Sequence, residues 1–165
     1  MVICRWLPSL VPYNSDTEWG EYQEHIYSIF CDDFKISYPV FENKRVKIRY
    51  HPIESGKEEA FIHVTCQDYL KDGKREPDLK RCERIRWVRK FIENYKCIDG
   101  CKTCDGIKVW DKPYKNTLRT HILLEEEKYI VVLEKRPEYC LLITAYYFDK
   151  GHMLDKKLRD YQKFK

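Results

Sequence analysis

Five histidines are the first residues to weigh for chemistry, because imidazole is the side chain best placed to move protons near neutral pH. His25 falls on the polar flank of a predicted helix and His152 in a polar turn. His63 differs. It stands within Ala60-Phe61-Ile62-His63-Val64-Thr65, whose alternation predicts a strand with Phe61, His63 and Thr65 on one face and Ile62 and Val64 on the other. A histidine held in a sheet can be tuned for acid–base work, although simple packing is the other use of such a residue.

A second group lies in the C-terminal third. Alternation puts Arg119 and His121 on one strand face, and Thr144 and Tyr146 on one face of another, with Glu134 closing a strand between them. Facing one cleft, these would supply a cation, an acid or base, and hydroxyl donors. Metal-free RNA cleavage needs those parts: a base for the 2′-hydroxyl, an acid for the leaving 5′-oxygen, and positive charge for the phosphorane. Thr and Tyr are also ordinary strand formers, so the pattern alone leaves both readings open.

Three of the eight cysteines cluster as Cys97-x3-Cys101-x2-Cys104, with Gly100 and Gly106 giving tight turns. Thiolates on short turns suit tetrahedral zinc, with Cys82 or an aspartate such as Asp99 as the fourth ligand. A structural zinc knuckle is therefore one reading, and free thiols or a disulfide the other. The cluster contains no histidine, which argues against a catalytic metal. The remaining cysteines are scattered, which fits a reduced, cytoplasmic setting.

The elements that must position these residues follow from periodicity. The 165 residues fit one domain over 1–165: an arm and helix over 1–44, then a core over 45–165. Asn14, Ser15 and Asp16 can start a helix whose stripe is Trp19, Tyr22, Ile26, Ile29 and Phe30, ending near Asp32 and Asp33. Strands are expected over 46–50 and 60–65, joined by a turn at Glu54-Ser55-Gly56-Lys57. Asp78 caps a second helix with Leu79, Cys82, Ile85, Val88 and Ile92 inward. Its other faces carry Lys80, Arg81, Arg84, Arg86, Arg89 and Lys90, either a solvated surface or a basic ridge for RNA. Strands over 107–110, 118–124, 129–134 and 139–148 with tight connections predict an antiparallel meander, and 155–164 a polar, loosely packed helix.

Composition narrows the classes further. Aromatics at 15% and hydrophobics at 43% exclude a disordered chain. A net charge of +4 gives only a mild bias toward phosphate. No apolar run approaches the ~20 residues of a membrane helix, so no membrane partner is expected. Six glycines, with no phosphate-cradling loop, no HExxH and no nucleophile elbow, disfavour nucleotide-binding, zincin and hydrolase folds.

The stretch PDLKRCERIRWVRKFIEN, the IKVW strand, RTHILLEEEKYIVVLEKR and LLITAYYF together resemble the PBECR group, phage-associated nucleases of the barnase–EndoU–colicin–RelE (BECR) superfamily. GKEEAFIHVT resembles that family's histidine-bearing strand, and the likeness covers about residues 45–162. It implies an α+β fold, with N-terminal helices packed on a small curved antiparallel sheet. It also implies a metal-independent endoribonuclease of toxin, defence or mobile-element type, needing no catalytic cofactor and leaving 2′,3′-cyclic phosphate ends. The carried-over site is His63, Arg119, Thr144 and Tyr146, with Glu83 and Arg84 from the helix motif; His121 is added from strand alternation, and Arg86 and Arg89 from the basic helix face. The implied partners are tRNA or ribosomal RNA and a proteinaceous inhibitor. The cysteine insertion departs from the family pattern. A non-catalytic RNA-binding module and a zinc-held protein-interaction domain are the alternatives.

Overall fold

The computed structural model describes residues 4–67, 75–97 and 104–165. Apolar side chains at every third or fourth position commit Trp19–Cys31 to a helix, α1, with Tyr22, Ile26 and Phe30 buried. A π-helical turn over Asp32–Ile36 carries it past the expected stop and buries Phe34. Strands β1 (Val40–Phe41) and β2 (Lys44–Lys47) form a hairpin. The arm before α1 is anchored: Val11 N–H donates to the Glu83 carbonyl (2.8 Å), and Trp87 Nε1 to that of Pro8 (2.9 Å).

The strand expected over 60–65 is a helix, α2 (Glu59–Thr65). Ala60, Phe61, Ile62, Val64 and Thr65 are all buried, leaving Glu59 and His63, one turn apart, on the open side. A short apolar run buried nearly all round carries no periodicity that separates strand from helix. The strand over 46–50 shortens correspondingly: past Lys47 the backbone turns, and the carbonyls of Arg49 and Tyr50 accept the N–H groups of Ala60 and Glu59. Those are first-turn donors that a helix cannot satisfy by itself.

The single second helix expected after Asp78 is two, α3 (Leu79–Glu83) and α4 (Ile85–Glu93), hinged at Arg84 (φ −101°, ψ 20°). Asp78 caps α3 as expected, accepting from the N–H groups of Lys80 and Arg81. Cys82, Ile85, Trp87, Val88, Phe91 and Ile92 are buried, whereas Leu79 is 41% exposed and leaves the expected stripe.

The meander forms: β3 (Lys108–Tyr114), β4 (Thr117–Leu124), β5 (Tyr129–Lys135) and β6 (Cys140–Tyr147) pair antiparallel in sequence order. The complete sheet, β1-β2-β6-β5-β4-β3, is curled and mixed, because β2 joins β6 parallel. The all-antiparallel expectation fails at that one junction, where β2, which precedes the three helices α2 to α4 in the chain, lies beside the last strand.

The molecule is thus α+β, with helices packed on a small curved sheet. Residues of α1 to α4 share one core with Ile122, Tyr129, Val131, Leu133 and Leu142. The last helix, α5 (Gly151–Phe164), covers part of the opposite sheet face. It is polar outside, yet Leu154, Leu158, Tyr161 and Phe164 close a second core with Trp110, Leu123, Ile130 and Val132. Loose packing does not describe it.

Candidate functional site

The sheet face that α5 leaves uncovered opens as a cleft of about 440 Å³. His63, Arg119, Thr144 and Tyr146 all line it, joined by Arg81 and Lys150. Four residues from three separate segments therefore meet in one hollow. A β-bulge in β6 helps to bring this about. Leu142 and Ala145 both pack in the helix-side core, so the two residues between them, Ile143 and Thr144, both turn to the cleft. Bulges commonly re-aim side chains in this way beside functional sites.

His63 reaches the cleft from the end of α2, not from a strand. Its Nε2 lies 3.0 Å from Glu59 Oε1, one helical turn back. Its Nδ1 lies 3.2 Å from Nη2 of Arg75. A guanidinium can only donate, so Nδ1 is the acceptor and the ring proton sits on Nε2, facing the carboxylate. The main chain of this turn is fixed from the next helix: Arg81 Nη1 donates to the carbonyls of His63 (3.1 Å) and Cys66. Thr144 Oγ1 also points to the His63 carbonyl, at 3.4 Å. Arg81, in turn, lies over the Tyr146 ring at 5.4 Å and near the Asp78 carboxylate at 3.6 Å.

Arg119 enters from β4. Its guanidinium stacks 3.5 Å from the centre of the Tyr114 ring, and its Nε lies 4.0 Å from Glu134 Oε1. Burial alone would raise Glu134. Hydrogen bonds from Thr117 and Arg136 and the charges of Arg136 and Arg119 outweigh it and hold the carboxyl below its usual range. Glu134 is therefore an anchor that stays ionised.

His121 lies deeper, in a second hollow of about 250 Å³ that shares Arg119, Ile143, Thr144 and Tyr146 with the cleft. It is 5% exposed and stacks on Trp110 with ring centres 5.0 Å apart. Burial, then the charge of Lys157, pushes its pKa down to about 4. Near neutral pH it is uncharged and has no proton to give as an imidazolium.

The basic helix face does not act as one ridge. Arg84 covers the Tyr147 ring at the cleft margin, 4.4 Å from its centre, with Glu83 3.9 Å away. Arg86 and Arg89 line a different depression with Pro8 and Asp33. Arg89 is tied to the Asp33 carbonyl (2.8 Å) and Ser37 Oγ (2.7 Å), a clasp between α4 and the π-helical turn.

Of the zinc ligands, Cys101 and Asp99 lie outside the described residues. Cys82 lies within the described residues. Its thiol is buried, points to the Thr65 carbonyl at 3.5 Å, and is pushed up to about 12 by burial and the neighbouring Cys66. Cys104 Sγ accepts from the Gly106 N–H at 3.2 Å, and the Cys97 carbonyl from Ile107 N–H. Among the described residues no three potential ligands converge on one point, and no helix is long and apolar enough to cross a membrane.

Glu59 and Arg81 are the site residues that periodicity did not pick out. Glu59 precedes His63 by four residues, a spacing that pairs side chains only on a helix, so it vanished once the segment was read as a strand. Arg81 sat unmarked among the six basic residues of its helix. No family model, curated protein or solved structure matches this chain.

Proposed function

We propose that the chain is a metal-independent RNA endonuclease of the BECR type, cutting by attack of the 2′-hydroxyl on the adjacent phosphorus. The observation that carries this reading is the convergence of His63, Arg119, Thr144 and Tyr146 with Arg81 on one open, cation-lined cleft. In this reading the substrate displaces Arg75 from Nδ1 of His63. That nitrogen then exchanges a proton with the reacting oxygens, as base toward the 2′-hydroxyl or as acid toward the leaving 5′-oxygen. Glu59 holds the other ring nitrogen and offsets the charge of the imidazolium. Arg119 and Arg81 face the charge growing on phosphorus, where fixed cations act with no reorganisation. Thr144 and Tyr146 orient phosphate and sugar, and Arg84 extends the cationic margin. The products are a 2′,3′-cyclic phosphate and a 5′-hydroxyl. The setting we infer is cytoplasmic, with tRNA or ribosomal RNA as substrate and an inhibitor protein as natural partner.

One observation favours a second reading, an RNA-binding module without chemistry: both His63 ring nitrogens already have protein partners. Incubating cellular RNA with the protein in EDTA separates the two. Wild type should give discrete fragments with cyclic phosphate ends, and His63→Ala should lose about 10²–10⁴-fold in rate. Fragments ending in a plain 3′-hydroxyl would contradict the mechanism. RNA that is bound but intact, on the ribosome as well as free, would leave the binding module.

A further inference from the structure

The hollow around His121 is built more elaborately than a packing flaw between sheet and helix would require. Lys112 from β3, Arg119 from β4 and Lys157 from α5 line it, and no carboxylate does. Lys112 is spoken for, since its Nζ lies 2.9 Å from Asp160 Oδ2. The others keep capacity to bind. Arg119 Nε is buried without a hydrogen-bond partner, its nearest carboxylate being 4.0 Å away. Lys157 is half-buried and makes no hydrogen bond or ion pair among the described residues. His121 Nδ1 is buried without a partner, on a ring held flat by Trp110.

Unsatisfied buried polar groups are uncommon, and an absent ion is one of the standard reasons for them. Here two occur together, Arg119 Nε and His121 Nδ1, with the ammonium of Lys157 beside them, and all three can donate. Two carry positive charge and the third is an imidazole nitrogen. Donors of that kind around a small void are what an anion with several acceptor oxygens requires. Stacking on Tyr114 presets the Arg119 fork, so little ordering remains to be done on binding.

We propose that this hollow is a phosphate subsite in which Lys157, Arg119 and His121 hold a phosphate group beside the one lying in the His63 cleft. Arg119, Thr144 and Tyr146 line both hollows, so a polynucleotide can run from one to the other without leaving the surface. The subsite itself stands on the geometry alone. Only the identity of the phosphate carrier, a neighbouring nucleotide of RNA, rests on the nuclease reading.

The experiment titrates inorganic phosphate at low salt into wild type, Lys157→Met and Lys157→Arg, while NMR follows the histidine ring signals. Saturable shifts at His121 are expected in wild type and in Lys157→Arg, with affinity at least tenfold weaker in Lys157→Met. An unmoved His121 signal in a folded sample overturns the subsite. A second arm measures binding of a single-stranded oligoribonucleotide against salt concentration. Losing one phosphate contact in Lys157→Met should flatten the logarithmic slope by about 0.7. An unchanged slope, with phosphate still bound in the first arm, overturns RNA as the carrier in favour of a small phosphate-bearing molecule. RNA that binds with the expected slope yet is never cut sinks the nuclease reading and leaves the subsite standing.

Discussion

His63 is held at both ends of its ring, and the two partners do different things. Glu59 accepts the Nε2 proton at 3.0 Å from within the same helix, so it fixes the tautomer whatever the substrate does. Arg75 covers Nδ1, the nitrogen that the nuclease reading needs exposed. If the nuclease reading holds, Glu59→Ala should lower kcat by about tenfold or more with little change in KM, since Glu59 orients the base and touches no substrate. Glu59→Gln keeps an acceptor but loses the charge, and should fall between. Steady-state cleavage of a defined oligonucleotide measures both parameters. A rise in KM with kcat unchanged would show that Glu59 only shapes the surface. His63, Arg119, Thr144 and Tyr146 were legible from the sequence because each sits in a short stretch whose side-chain chemistry stands out. That they meet was not legible. It depends on the bulge at Ile143, and no single-strand alternation can foresee that two consecutive residues of β6 will face one way. The depth of His121 was not legible for a related reason: alternation gives a face and says nothing of how far the ring is buried against Trp110.

At the scale of elements, α3 is the piece that joins core to cleft. It is five residues long, too short to persist without help. Asp78 supplies that help by accepting from the first-turn N–H groups of Lys80 and Arg81, and its other oxygen faces the guanidinium that holds the His63 and Cys66 carbonyls. Asp78→Ala should therefore cost about 1 kcal/mol in urea denaturation, the usual loss when a capping side chain is removed, while Asp78→Asn recovers most of it. An alanine variant with a wild-type midpoint would show that Asp78 is no cap in solution. The cap and the meander were readable because they rest on local signals, a polar residue before a helical stripe and strict alternation between tight turns. The errors share another cause. The helix at α2, the break at Arg84 and the parallel entry of β2 beside β6 are decided by packing between segments distant in the chain. Phe61 illustrates it: the ring meets Tyr27 and Phe30 of α1, and those contacts outweigh an alternation that would suit a strand.

Over the whole molecule, the two sides of the sheet are linked through pH although their titrating groups never meet. Asp33, beside α4 in the depression that Arg86 and Arg89 line, is raised from 3.8 to about 6, by burial first and against the opposing charge of Arg89. His121, on the α5 side, is lowered from 6.5 to about 4 by burial and by Lys157. The signs oppose. A raised carboxyl gives stability that is full below 3.8 and lost as pH rises through about 6. A lowered histidine gives stability that is full above 6.5 and lost as pH falls through about 4. Across the window between them the two contributions offset each other. Asp33→Asn removes one side of the balance. The variant should be more stable than wild type at pH 7 and should lose stability more steeply on acidification. The histidine contributes a loss on the order of 3 kcal/mol over its full shift. Glu134 and Asp160, both held below the usual carboxylate range, add a loss of the same sign at the acid end. Urea midpoints taken from pH 7 to 4.5 measure the slopes. Equal slopes for the two proteins would mean that Asp33 titrates normally, and the acid response would then belong to His121 and the low carboxylates alone.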